Sequence, residues 1–397
     1  MIFKRFNSSA AGALQKTALY ALHVKLGGNM VPYAGYAMPV KYAQQTHIES
    51  HNWTRTHAGL FDVSHMLQST LKGAEATKFL HKITPTDFQN LPAGQGTLSV
   101  LLNENGGIVD DTLITKVAEN DFSIVTNAGC IDQDVAFLKQ QIEGFDCAWE
   151  AVQEKGLLAL QGPEAKNALG SIVAGGPQSL QDLYFGQRRR YAILDAETTG
   201  GTFEVDVARS GYTGEDGFEI SVANRDALKL ATQLLKDPAV RPIGLAARDS
   251  LRLEAGMCLY GHELDQNTTP VEASLNWLIS KSRRDGSLGR FNGFDRIMDL
   301  INNKSATEAR VGFKYVGRGP AARQGAEIFS EDGQKLVGRV TSGSASPSLG
   351  GINIGQAYVQ KSNRKAGTKL TVRVRNKSFP IEVARLPLTP SHFYKPE

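Results

Sequence analysis

Beyond about residue 301 the chain changes texture, and that change constrains the fold more than any other feature. Val311–Tyr315, Glu327–Phe329, Lys335–Thr341, Ile352–Val359, Thr368–Val374 and Phe379–Val383 read as short strands. Gly, Ser, Pro and Asn turns separate them. Short strands with regular turn signals predict an all-β barrel or sandwich. A domain boundary is expected near Asn302–Ser305.

The preceding residues read as a mixture of helices and strands. Lys41–Arg55 is expected as a polar helix that turns Tyr42, Ile48 and Trp53 toward a core. Gln95–Leu102 and Ile108–Lys116 read as strands around the Asn105-Gly106-Gly107 turn, and Phe122–Thr126 as another. Ile131–Glu143, Asp226–Leu235 and Ile243–Leu253 read as helices, the last ended near Gly256. Gly156–Gln161 is a short apolar strand, followed by Gly162-Pro163 and a helix from Glu164. Phe203–Ala208 and Gly217–Val222 are strands, and Val271–Leu278 carries the chain on toward Trp277. No internal repeat is evident.

A chain of 397 residues suggests two or three domains, with ample length for a core. A net charge of +4 is too mild to argue for nucleic acid. No apolar run reaches the ~18 residues that span a bilayer, so no membrane association is expected. The three cysteines, Cys130, Cys147 and Cys258, are far apart, with no CxxC, which suits a reducing compartment. No acid precedes Glu49, whereas Lys4, Arg5, Lys16, Lys25 and Lys41 do. Ile2, Phe3, Phe6 and Leu14 lie among these basic residues with Ser8 and Ser9. That basic, acid-free start resembles a mitochondrial transit peptide, drawn here as residues 1–16.

Two stretches place carboxylates just after tight turns. In Asn103–Asp111 a glycine turn runs into a strand bearing Asp110 and Asp111. Neighbours on a strand point to opposite faces, so one is expected toward a pocket and the other solvated. Arg209–Glu219 repeats the device and ends on Glu219, between Phe218 and Ile220. Carboxylates at strand ends suit a ligand with several N–H donors or a developing positive charge. On the helix from Ile243, Arg248 and Arg252 share a face, ready to pair with Glu219 or a substrate carboxylate.

Other motifs point away from common chemistries. His47, Glu49, His51 and His57 lack the HExxH order, and no metal site is expected. Asp62-Val63-Ser64-His65 is no nucleophile elbow, and the glycine pairs form neither GxGxxG nor GxxxxGK[ST]. In Thr368–Arg375 the residues Lys369, Arg373 and Arg375 give one cationic strand face, suited to an acidic partner or a polyglutamate tail.

Taken together, several segments resemble the glycine cleavage T-proteins, which are aminomethyltransferases. They are Phe61–Met66, Gln95–Ser99, Asn103–Asp111, Leu160–Pro163, Gly211–Glu219, Gly244–Gly261, Thr268–Glu272, Val340–Gly343 and Ser346–Ser348. They run in order from about residue 17 to the end. The resemblance implies an α+β fold of three domains around a central folate cavity. Two interleaved α/β domains would take residues 17–62 with 148–240, and 63–147 with 241–301, and a barrel-like β domain would take 302–397. It implies a mitochondrial matrix enzyme that moves the methylene carbon of an aminomethyl-lipoyl arm on H-protein to tetrahydrofolate. The products would be ammonia, 5,10-methylenetetrahydrofolate and dihydrolipoyl H-protein, with P- and L-proteins as further partners. The family's catalytic aspartate falls on Asp111. Its folate contacts fall on Glu219, Arg248 and Met66, and its C-terminal aromatic on Phe393 or Tyr394.

Three rival readings would carry different signatures. A non-catalytic folate-binding relative would carry a Lys-Gly-Cys signature ahead of Gln-Glu, which this chain lacks. The folate half of a dimethylglycine or sarcosine dehydrogenase would need a GxGxxG flavin domain, also lacking here. A structural subunit that only docks H-protein stays open and is separable by folate binding.

Overall fold

Alternating burial builds three large sheets, with Gly28–Tyr33 and Tyr36–Tyr42 pairing as a small fourth, seen in a computed structural model that describes residues 13–396. Residues 1–12 of the expected leader lie outside the described residues. Within its last part, Gln15 pairs with the backbone of Gly35 and Ala37, at 3.0 and 2.9 Å.

The first sheet is antiparallel, in the order Gly96–Leu102, Ile108–Ala118, Asp121–Thr126, Leu67–Lys72, Ala148–Ala151. The helix Ala76–Ile83 places Phe79, Leu80 and Ile83 on one side, fully buried against Phe122 and Ile124. Burying each such side chain contributes about 1.5–3 kcal/mol. The second sheet runs Arg188–Leu194, Thr202–Ala208, Gly217–Ala223, Lys155–Gln161, Ala58–Asp62, Val240–Pro242; only its last pair is parallel. The third is a closed barrel of Glu308–Tyr315, Ile352–Gln360, Leu336–Ser346, Glu327–Ser330, Lys369–Val374 and Lys377–Ala384. Closure removes the unpaired edges that six short strands would otherwise expose. Leu370 and Val372 enter the barrel core, leaving Lys369 and Arg373 exposed.

The Asn103–Gly107 turn is shaped by its glycines. Gly106 has φ +76°, and a Cβ on Gly107 would lie 1.8 Å from the Gln266 carbonyl oxygen. Just past it the register slips opposite Leu101 and Leu102, a bulge at the start of the Asp-bearing strand. Val109 and Ile114 consequently share one core despite their odd spacing.

One expectation gives way. Lys41 and Tyr42 end the strand Tyr36–Tyr42, and the helix is His47–Thr56. Thr46 and Glu49 form a reciprocal capping box there, which sets the start. Ile48 is 48% exposed, and this helix buries Ser50, His51 and Thr54 instead. Val271–Leu278 folds as turns that end in the short 3-10 turn Asn276–Leu278, with Trp277 exposed.

The helix Leu245–Glu254 joins the sheets. Arg252, fully buried, donates to Asp249 and Glu263, each at 2.9 Å, and to the barrel's Ser342 hydroxyl at 2.8 Å. Glu254 accepts from Arg55 at 2.8 Å and from the Ser348 hydroxyl at 2.7 Å, also accepts from Ser346, and lies 3.0 Å from His51 Nε2.

Candidate functional site

The three sheets converge on a cavity of about 2290 Å³. Leu98 and Asp111 reach it from the first sheet, Glu219 from the second, and Arg310 and Arg385 from the barrel side. Arg248 and Met66 also line it.

Asp111 is partly exposed to this cavity, on the strand face opposite Asp110. Asp110 is not solvated as expected; it is fully buried. Regular alternation puts it on the same inward face as Thr112 and Ile114, toward the helix Ile131–Gln141. Asn127 ties the two acids together. Its backbone N–H donates to Asp110 at 2.8 Å. Its side-chain amide donates to Asp110 Oδ1 and to Asp111 Oδ1, each at 2.9 Å. Two amide hydrogens divided over this many acceptors leave Asp111 short of donors. Burial, then the adjacent Asp110 charge, push the Asp111 carboxyl up to about 7. A carboxyl poised near neutrality is suited to exchanging a proton.

Glu219 sits in register with Ala208 and Ala159. Its carboxylate accepts from the Ser210 hydroxyl at 2.8 Å and keeps further lone pairs free for a ligand. The buried Gln161 holds the preceding loop, donating to Ser210 O at 2.9 Å and accepting from Thr213 at 3.0 Å. Gly211 is required because a Cβ there would meet Gln161 Oε1 at 1.7 Å.

The two arginines on one helix separate in role. Arg252 is spent on its ion pairs with Asp249 and the buried Glu263. Arg248 reaches the cavity with its guanidinium 4.7 Å from the Tyr212 ring centre. No ion pair joins it to Glu219 among the described residues, so the expected pairing is not made. Met66 packs on the cluster of Phe61 and Val63 and forms apolar wall. The C-terminal aromatics also separate. Phe393 lines the cavity and stacks on Phe185 at 4.2 Å. Tyr394 lies outside the lining, with Arg209 4.0 Å from its ring centre and its hydroxyl donating to Gln181 O.

Several wall residues lacked a site role in the sequence. Tyr33 stands edge-on to His65 at 5.4 Å, and burial holds His65 down to about 4, so it is neutral in the wall. Tyr212 is anchored by its hydroxyl to the Cys258 carbonyl, and burial raises its phenol well above 10. Asn127 follows a strand with no local pattern to mark it; only the strand pairing brings it to Asp110 and Asp111. His51 lies 2.7 Å from the Ser250 hydroxyl, as part of the structural network around Glu254.

Residues 19–283 match the family model described as the GCVT N-terminal domain, and residues 309–389 that of the glycine cleavage T-protein C-terminal barrel domain. The chain is 60% identical to the mitochondrial aminomethyltransferase of Saccharomyces cerevisiae, over 100% of this chain and 98% of that protein. It is 44% identical to that of Gallus gallus, covering 98% and 96% of the two. Among solved structures, the glycine cleavage system aminomethyltransferase T from Bartonella henselae superposes with a TM-score of 0.86 at 38% identity, covering 96% of this chain and 100% of that one.

Proposed function

The chain belongs to the glycine cleavage T-protein family, and on that premise we propose how its cavity carries out the transfer. It is an aminomethyltransferase of the glycine cleavage system and a mitochondrial protein. The family uses tetrahydrofolate and works with an H-protein.

The finer reading is a reaction between two carriers in one cavity. An aminomethyl group on the lipoyl arm of H-protein meets tetrahydrofolate, which supplies the two nitrogens that accept the carbon. Ammonia, 5,10-methylenetetrahydrofolate and dihydrolipoyl H-protein leave. The observation that carries it is the cavity itself. About 2290 Å³ exceeds what one small ligand needs, and a single wall system presents Asp111, Glu219 and Arg248.

The donor set fits a reduced pterin. Glu219 has free lone pairs to accept from adjacent N–H groups on one ring edge. Met66 and Phe393 offer apolar and aromatic wall beside it. Asp111 faces the transferred carbon. As a carboxylate it stabilises the iminium-like positive charge that develops when ammonia departs. It then takes or relays the proton lost as the second nitrogen closes on the carbon, which its position near neutrality allows. Arg248 orients the folate. Holding both carriers in near-attack geometry supplies much of the rate. In this reading the site residues are Asp111 for catalysis and Glu219, Arg248, Met66 and Phe393 for folate.

The same reading places the protein in the matrix, with P- and L-proteins as further members of its system. A leader drawn as residues 1–16 would overlap the folded chain at Gln15, whose backbone pairs with Gly35 and Ala37. Residues 17–62 with 148–240, 63–147 with 241–301, and 302–397 would be its three domains.

The test is ammonia release from aminomethylated H-protein with and without tetrahydrofolate. Strong folate-dependent release, with methylenetetrahydrofolate formed in step, is expected. Folate binding without release would instead indicate a non-catalytic relative, and neither would leave only a docking subunit.

A further inference from the structure

Behind Asp111 lies an acid that the reaction above does not use. Asp134, in the first turn of the helix Ile131–Gln141, has no exposed surface, and neither has Asp110. Both oxygens of Asp134 lack a donor, and so does the nearby Thr126 hydroxyl lack a partner. The group Asp134 faces is the Asp110 carboxyl. Two carboxyls face to face complete one another only when one of them carries a proton.

The assignment of that proton follows from the partners. Asp110 already accepts from the Asn127 backbone at 2.8 Å and from its side-chain amide at 2.9 Å, and the Cys130 thiol faces it as well. Those donors favour Asp110 as the anion. An ionised Asp134 would have only the Thr126 hydroxyl to accept from, against the three groups that face Asp110, and burying a carboxylate with so little compensation outweighs the modest favour of a helix N-terminus. The surrounding titratable groups are Asp111 on the same strand, Cys130 before the helix and Tyr260 from the loop beyond Gly256. Burial keeps Cys130 and Tyr260 neutral. Glu263, which bears on Asp111 from farther off, is paired with Arg252.

We propose that Asp134 is a positioning residue. It holds a proton that it donates to Asp110; Asp110, so fixed as an anion, orients Asn127, and Asn127 orients the Asp111 carboxyl. This rests on the assignment of Asp111 to the transfer reaction. It adds a residue beyond the cavity wall whose protonated state governs both the place and the charge environment of Asp111.

The test uses the full chain with aspartate-selective ¹³C labelling and the variants Asp134→Asn and Asp134→Ala. At a pH well above 7, where Asp111 is ionised, infrared spectra of the wild type should still show a protonated-carboxyl band, and Asp134→Asn should remove it. Asparagine retains a donor toward Asp110, so Asp134→Asn should keep most of the turnover. Asp134→Ala should lose about tenfold or more in kcat, with little change in the KM for tetrahydrofolate. In that variant Asp110 loses a donor and takes up a proton. It then repels Asp111 less, and the rising limb of the kcat–pH profile should move to lower pH.

Absence of the band, equal impairment in Asn and Ala variants, or an unimpaired Ala variant would each overturn the proposal. Should the variants not fold, the wild-type spectrum, assigned by its pH dependence, still decides. The infrared result does not depend on turnover, so a failure of the transfer reading itself would be seen separately.

Discussion

Glu254 and Asp111 are both interior carboxylates, and the molecule treats them in opposite ways. Glu254 is surrounded by His51, Arg55, Ser346 and Ser348. Burial alone would raise it, but those partners outweigh burial and hold it down to about 2. Asp111 shares the Asn127 amide with Asp110, and burial with that neighbouring charge pushes it up to about 7. A surplus of donors marks a carboxylate that fastens the helix Leu245–Glu254 to the barrel. A deficit marks one whose charge is kept ready for a ligand.

The largest effect separates the two directly. Asp111→Asn should lower turnover by about 10³-fold while tetrahydrofolate affinity holds. It should leave stability unchanged or raise it, because a crowded acid is removed; a melting curve beside the turnover assay checks both. Glu254→Gln should do the reverse, losing about 3 kcal/mol of stability in denaturant titration. If this variant proved as stable as the wild type, the contrast would collapse.

These residues also show what was legible in the sequence. The barrel strands were, because Val311–Tyr315 and Leu370–Val374 alternate with period two and turn signals bracket them. Asp111 and Glu219 were legible through their glycine turns and the family's ordered segments. The strand–helix break at Tyr42 was not, although Thr46 and Glu49 carried a capping signal inside the apparent helix. Asn127 and Asp134 were not, because only strand pairing and helix packing bring them to Asp110. The alternation of an extended tail, which puts Phe393 in the cavity and Tyr394 outside it, needed the fold around it.

Smaller effects sharpen the contrast between ligand-facing and structural groups. Glu219→Ala should weaken tetrahydrofolate binding by about 2 kcal/mol, roughly 30-fold, by calorimetry, with a lesser effect on kcat. Equal affinity in the variant would remove Glu219 from the contact. Phe393→Ala should lose about 1 kcal/mol of the same affinity, whereas Tyr394→Ala should leave it unchanged. Matching losses in the two would contradict their separation across the cavity wall.

The central claim is that Asp111 stands in a donor-poor wall with its carboxyl raised toward neutrality. It is tested most directly by following the ¹³Cγ resonance of Asp111 against pH, assigned by its loss in Asp111→Asn. An apparent midpoint near 7 is predicted for the wild type, since burial and Asp110 both resist ionisation. The midpoint should fall in Asp110→Asn, where the neighbouring charge is gone. Turnover should rise with pH through the same midpoint, because the carboxylate is the working form. A wild-type midpoint in the ordinary range near 4, unmoved by Asp110→Asn, would contradict the account.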